Sequence, residues 1–173
     1  MEEQANSKSL IINYGVILAV AGILLSVITY VMGAHLKPHW SVSVISIALT
    51  IAFVVFGIKK YKEINNGFIS WGQGVKIGVG ICILSALITA IYQYIFMTVI
   101  EPDFMLQAME IQNQAYLDAG MTEEQIEGAN EIAQKFQSPG IIAAVSIIGA
   151  AILGFIISAI ASAVMKKTEE ETY

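Results

Sequence analysis

The chain has 173 residues, 56% of them hydrophobic and only 13% charged, with mean hydropathy +0.69, so it departs from the composition of a soluble domain on both counts. All nine basic residues are lysines and the formal charge is −5, which leaves no arginine-rich or basic-aromatic surface for nucleic acid. A single cysteine, Cys82, rules out an intramolecular disulfide and reads as a small buried apolar residue.

Four stretches carry no formal charge: 9–34, 41–58, 77–100 and 137–165. A bilayer's hydrocarbon core takes about 20 apolar residues at 1.5 Å each, so every stretch is long enough to cross it. Runs such as IIAAVSIIGAAILGFIISAIASAV are apolar at consecutive positions, unlike the alternating strands of a β-barrel. The expected fold is therefore an all-α integral membrane four-helix bundle, a single domain over 1–173 with spans at about 10–33, 40–60, 73–100 and 139–165. The first stretch exceeds a signal-peptide core and follows Glu2 and Glu3 rather than a basic cluster, so it is read as a retained span.

Lysines sort by connecting segment. Lys8, Lys59, Lys60, Lys62, Lys76, Lys166 and Lys167 fall on one side, against Lys37 and Lys135 on the other. The positive-inside rule then predicts cytoplasmic termini, a cytoplasmic middle loop at 59–76 and an outward loop at 101–138. Trp40 and Trp71 stand where span ends meet lipid headgroups.

Small and hydroxyl residues run along the spans in files: Gly15, Ala19, Gly22, Ser26 and Gly33 in the first, and Ser43, Ser46 and Thr50 in the second. The third has Gly74, Gly78, Ser85, Thr89 and Gln93, and the fourth Ser146, Ala150, Gly154, Ser158 and Ser162. Such files let helix backbones approach closely where lipid removes the hydrophobic drive between helices, and packing is the preferred reading over a polar substrate path. No Asp, Glu, Lys, Arg or His lies near the middle of a span, and no broken helix is visible, which disfavours an ion-coupled transporter.

The loop at 101–138 has helical periodicity twice. Phe104, Met105, Ala108, Met109, Ile111, Ala115 and Tyr116 form one stripe, ended by Gly120; Ile126, Ala129, Ala133 and Phe136 form the next, opened by a capping box at Thr122 and Gln125. A hairpin over the bundle mouth or along the membrane surface is expected. Its eight acids, Glu101, Asp103, Glu110, Asp118, Glu123, Glu124, Glu127 and Glu131, oppose only Lys135 and read as a solvated face or a docking surface for a basic partner. Ser138 and Pro139 supply the cap and first residue of the last span.

His35, His39, Glu101 and Asp103 gather at predicted outer span ends, a geometry conceivable for zinc, but Pro38 interrupts the relation of the histidines and no metal site is assigned. No nucleophile with a base and orienting acid, phosphate loop or zinc motif occurs, so no catalytic residue and no cofactor are expected.

The middle loop reads YKEINNGFISWGQGVKIG, the outer boundary of the third span reads YQYIFMTVIEPDF, and the acidic loop ends KFQSPG. With four spans, these features resemble the DUF4199 family of small bacterial membrane proteins, found chiefly in Bacteroidetes. The resemblance covers almost the whole chain and implies an inner-membrane four-helix domain of uncharacterised function; where the family often has a tyrosine, this chain has Phe68. Asn65, Asn66, Gly67, Phe68, Ser70 and Trp71, with Gln93, Glu101, Pro102 and Asp103, are the candidate partner-contact or family-motif residues. The Asn-Asn-Gly sequence also suits a turn needing positive φ, and Ser70 with Gln73 suits a helix cap.

The functional expectation is a non-enzymatic accessory or scaffold subunit with a protein partner or a second copy in the bilayer. The alternative is a small oligomeric transporter or channel for a lipid or solute, which a polar cavity between the helices would favour. A third reading, a membrane-embedded enzyme, requires ionisable residues converging at the outer mouth.

Overall fold

A computed structural model describes residues 7–167, so Glu2 and Glu3, which entered the reading of the first stretch as a retained span, lie outside the described part. Six α-helices follow in order: α1 (Ser7–Val31), α2 (Trp40–Ile64), α3 (Trp71–Ile95), α4 (Phe104–Asp118), α5 (Glu123–Phe136) and α6 (Pro139–Met165). The third continues into a π turn at Phe96–Ile100. Among the described residues α1, α2, α3 with its π turn, and α6 are long and apolar enough to cross a membrane.

Local chemistry sets the ends. Ser70 accepts from the Gln73 amide while the Gln73 side chain accepts from the Ser70 amide, and Thr122 with Gln125 does the same, so both capping boxes are complete. Ser138 accepts from Ile141 N–H at 3.3 Å ahead of Pro139, which needs no amide partner there. Gly33 and Gly120, at φ +67° and +80°, follow α1 and α4 in the left-handed conformation that a side chain disfavours.

The middle connection is shorter than expected. Lys59, Lys60 and Lys62 extend α2 beyond its apolar run, because lysine is a good helix former whose long stem reaches the interface, and the loop proper is only 65–70.

α3 packs against all three other spans, most extensively against α6. α6 runs antiparallel to α3 and interlocks with it. A Cβ on Gly74 would lie 2.9 Å from Ser162 Cβ, one on Gly78 would meet Ser158, and one on Gly154 would lie 2.7 Å from Cys82 Cβ. α1 runs parallel to α3, with Gly80 against Ile11 and Gly15 against Leu84. α2 closes the bundle, with Gly57 beside Tyr14 and Val54 beside Gly78. Val54, Ile58, Ile77, Ile81, Ser158 and Ser162 are fully buried at these crossings. The core therefore lies toward the end that carries the 65–70 loop and Lys167.

The α4–α5 hairpin sits at the other end. Its helices pack on each other around buried Ile126, and the start of α4 reaches the span ends, where Phe104 meets Phe96. The two apolar stripes are only partly used between the short helices, since Phe104 turns to that contact and Phe136 stays exposed.

Ser162 Oγ is buried without a hydrogen-bond partner, so serine serves at that crossing by its size rather than its hydroxyl. Gly78→Ala is therefore expected to destabilise the protein by about 1–3 kcal/mol through overpacking, whereas Ser162→Ala is neutral or slightly stabilising. Thermal unfolding in detergent micelles measures both; equal tolerance of the two would contradict the interlock.

Candidate binding cavity

The family-like loop forms a clamp. Asn66 (φ 54°) and Gly67 (φ 84°) turn the chain, and Asn65 Nδ2 donates to the Phe68 carbonyl at 2.9 Å. The turn presents Ile69, which is 1% exposed, to form an antiparallel bridge with Lys167: each amide donates to the other's carbonyl, at 2.9 and 3.0 Å. Lys62 Nζ donates to the Met165 carbonyl at 2.8 Å, and the Lys167 ammonium lies 5.3 Å from the centroid of the Phe68 ring. Trp71 Nε1 donates to the Ala159 carbonyl at 3.1 Å, so this indole is tied to α6 as well as standing at a span end. Asn65, Asn66, Gly67, Phe68, Ser70 and Trp71 thus act together to hold the end of α6 against the α2–α3 turn.

At the opposite end the same helices part. The files of small residues divide about halfway along. Gly154, Ser158 and Ser162 press on α3, but Ser146 and Ala150 do not; with Ser85, Thr89 and Gln93 of α3, Ser46 and Thr50 of α2, and Leu18 and Gly22 of α1 they line a cavity of about 370 Å³. The division recurs in α1, where Gly15 and Ala19 are buried while Gly22 has no neighbour that a Cβ would touch. Thr50 spends its hydroxyl on the Ser46 carbonyl at 2.8 Å. Among the hydroxyl residues of the wall, Ser46 of α2, Tyr94 of α3 and Ser146 of α6 are exposed, and the two serines mark an opening between α2 and α6 on the outer surface of the bundle.

Above this chamber is a vestibule of about 230 Å³, sharing Gly22, Ser46 and Gln93 with it. His35, Pro38, Phe96 and Phe104 are among its walls. The π turn positions this group. By widening the last turn of α3 it keeps Phe96 buried and brings Glu101 Oε2 to 2.8 Å from His35 Nε2, with the two side chains only 14% and 16% exposed. Tyr30 and Phe96 meet the imidazole edge-on at centroid distances of 4.9 and 6.2 Å, and Phe104 stacks on it at 6.2 Å. The ion-pair contact lies outside hydrogen-bonding geometry, and both imidazole nitrogens and Glu101 Oε2 are buried without a hydrogen-bond partner. Such orphaned atoms are rare in folded proteins and usually face a water or ligand.

The remaining candidates separate. His39 caps α2, accepting from Ser41 N–H at 3.3 Å, and is not joined to His35; Asp103 precedes α4 without capping it through its side chain. Among the described residues no three metal-ligating side chains gather. Pro102 is exposed in the turn where the Phe104 amide donates to the Glu101 carbonyl at 3.0 Å. Sequence reasoning did not pair His35 with Glu101 because the π turn that aligns them leaves no composition signal. The available signal was the dense aromatic spacing of YQYIFMTVIEPDF, whose Tyr92, Phe96 and Phe104 surround that site.

Comparison with curated proteins and with solved structures finds no match. The family model described as "Protein of unknown function (DUF4199)" matches residues 13–167, which include the clamp, the cavity and the vestibule. The chain, a membrane-spanning-type helical protein whose two family-like stretches build the clamp and the His35 surround, belongs to the DUF4199 family.

Proposed function

We propose that this protein binds a single-chain amphiphile from the bilayer and holds or passes it along the α2–α6 opening, without catalysing a reaction on it. The observation that carries this reading is the lipid-facing chamber of about 370 Å³, within the size range of small-molecule sites and lined by apolar groups with a few hydroxyls and one amide. It favours the lipid-transport side of the two functions weighed from the sequence. The scaffold reading retains one supporting observation: Leu106, Ile132 and Phe136 on the hairpin are 59–62% exposed, an apolar surface that a protein partner or a second copy would cover. No nucleic-acid partner and no cofactor belong to either reading.

The bacterial inner-membrane setting follows from the family resemblance, and the seven-to-two lysine asymmetry supports an orientation with the termini and clamp cytoplasmic and the cavity in the outer half of the bilayer. In a Cys82→Ala background, an impermeant thiol reagent on intact cells should label a cysteine placed at 118 and not one at 66. The reverse pattern would invert the protein.

Filling the chamber tests the binding role. Ala150→Phe should abolish co-purification of lipid detected by native mass spectrometry in mild detergent, while leaving the fold intact because Ala150 faces the cavity and not the α3–α6 crossing. Equal lipid retention by the variant and the parent would contradict the proposal.

A further inference from the structure

Resting on that reading of the cavity, we propose that the vestibule is a headgroup site for an uncharged, hydroxyl-bearing headgroup, such as that of a monoacylglycerol, with the acyl chain in the chamber below. The two spaces adjoin at Gly22, Ser46 and Gln93, which line both, the arrangement that one ligand with its headgroup above and its chain below requires. Their linings differ in the sense an amphiphile needs. The chamber is mostly apolar, whereas the vestibule brings His35, Gln93 and Ser46 to one small volume.

Hydrogen-bonding capacity at the junction is unspent. The Gln93 side chain makes no hydrogen bond among the described residues, although an amide in a membrane span ordinarily finds a partner on a neighbouring helix. His35 Nδ1 is buried and equally unpartnered, its ring held by Tyr30, Phe96 and Phe104 with Nε2 turned to Glu101. Neighbouring hydroxyls are already committed: Thr29 Oγ1 donates to backbone carbonyls at 2.8 and 3.1 Å, and Ser26 lies 3.5 Å from the Tyr92 hydroxyl. The free set facing the vestibule is thus the Gln93 amide and the Ser46 hydroxyl, both able to meet a group that both donates and accepts, beside an imidazole whose nitrogens are closed off within the wall.

Charge selects among headgroups. No lysine lines the vestibule or the chamber, and Glu101 stands beside His35, so a phosphate or carboxylate finds no uncompensated cation there. No aspartate or glutamate lines either space, so a fixed cation in the headgroup finds no counter-charge there. A neutral polyol leaves no buried charge unpaired and can bond the Gln93 amide and the Ser46 hydroxyl.

The test uses the full-length protein in nanodiscs and three probes of equal chain length: 1-oleoylglycerol, oleate and oleoyl-lysophosphatidylcholine, each competing against a fluorescent oleoyl monoacylglycerol. The expected result is preferential displacement by 1-oleoylglycerol, with about tenfold weaker binding in Gln93→Leu, the loss of one buried hydrogen bond to the ligand. Oleate displacement should be unchanged in that variant. Gln93→Leu removes a polar group from a span, so it should fold; Gln93→Asn tests whether amide reach restores the preference in part. If the three probes compete equally, or Gln93→Leu weakens all three alike, the headgroup site is wrong while the cavity reading stands. If none of the three displaces the fluorescent lipid and that lipid does not bind, the cavity reading fails with it.

Discussion

The interlock of Gly74, Gly78 and Cys82 with Ser162, Ser158 and Gly154 is the contact on which the rest of the protein depends. In lipid, burying a leucine against another leucine gains little over burying it against an acyl chain, so helices associate through close backbone approach and dispersion. Here the absence of side chains on one helix is matched by serine or cysteine on the other, turn after turn. The clamp reinforces this contact from its end: the Ile69–Lys167 bridge and the Trp71 bond to Ala159 hold α6 at the start of α3, and the Lys62 contact with Met165 ties it to α2. Securing one end so firmly permits the other to open. A bundle tight along its whole length would leave no chamber, and one loose at both ends would not hold a shape.

The two family-like stretches fall at opposite ends with different physical tasks. YKEINNGFISWGQGVKIG builds the turn, cap and glycine surface of the clamp, which explains why a positive-φ Asn-Gly pair, a buried isoleucine and a capping serine occur in one short run. YQYIFMTVIEPDF builds the π turn and the aromatic surround of His35. Neither stretch contains a nucleophile poised against a base. Ionisable groups do converge at that end, where His35 and Glu101 lie 2.8 Å apart within an aromatic cluster.

Much of this architecture was legible in the chain. Charge-free runs marked the spans, Thr122 with Gln125 and Ser70 with Gln73 marked helix starts, and the glycine-serine files pointed to packing, because each signal is local and set by backbone chemistry. The files did not disclose that Ser146 and Ala150 part from α3 while Ser158 and Ser162 touch it. Spacing along a helix names a face, whereas the crossing geometry decides where along that face two helices touch. Lysine positions gave the connecting segments but misplaced the end of α2, since charge leaves the hydrocarbon before the helix ends. The His35–Glu101 contact joins residues on either side of two spans and depends on a π turn, which no periodicity announces.

The bundle is closed at the clamp and, in the function proposed above, takes an acyl chain into its opposite half. Contacts between protein and lipid protons, measured by nuclear Overhauser spectroscopy in nanodiscs on samples with protonated acyl chains, test this directly. Acyl-chain contacts should reach Ser85, Thr89 and Ala150 while Gly74, Gly78, Ser158 and Ser162 show none. Contacts absent from the first group, or equally strong in the second, would contradict it.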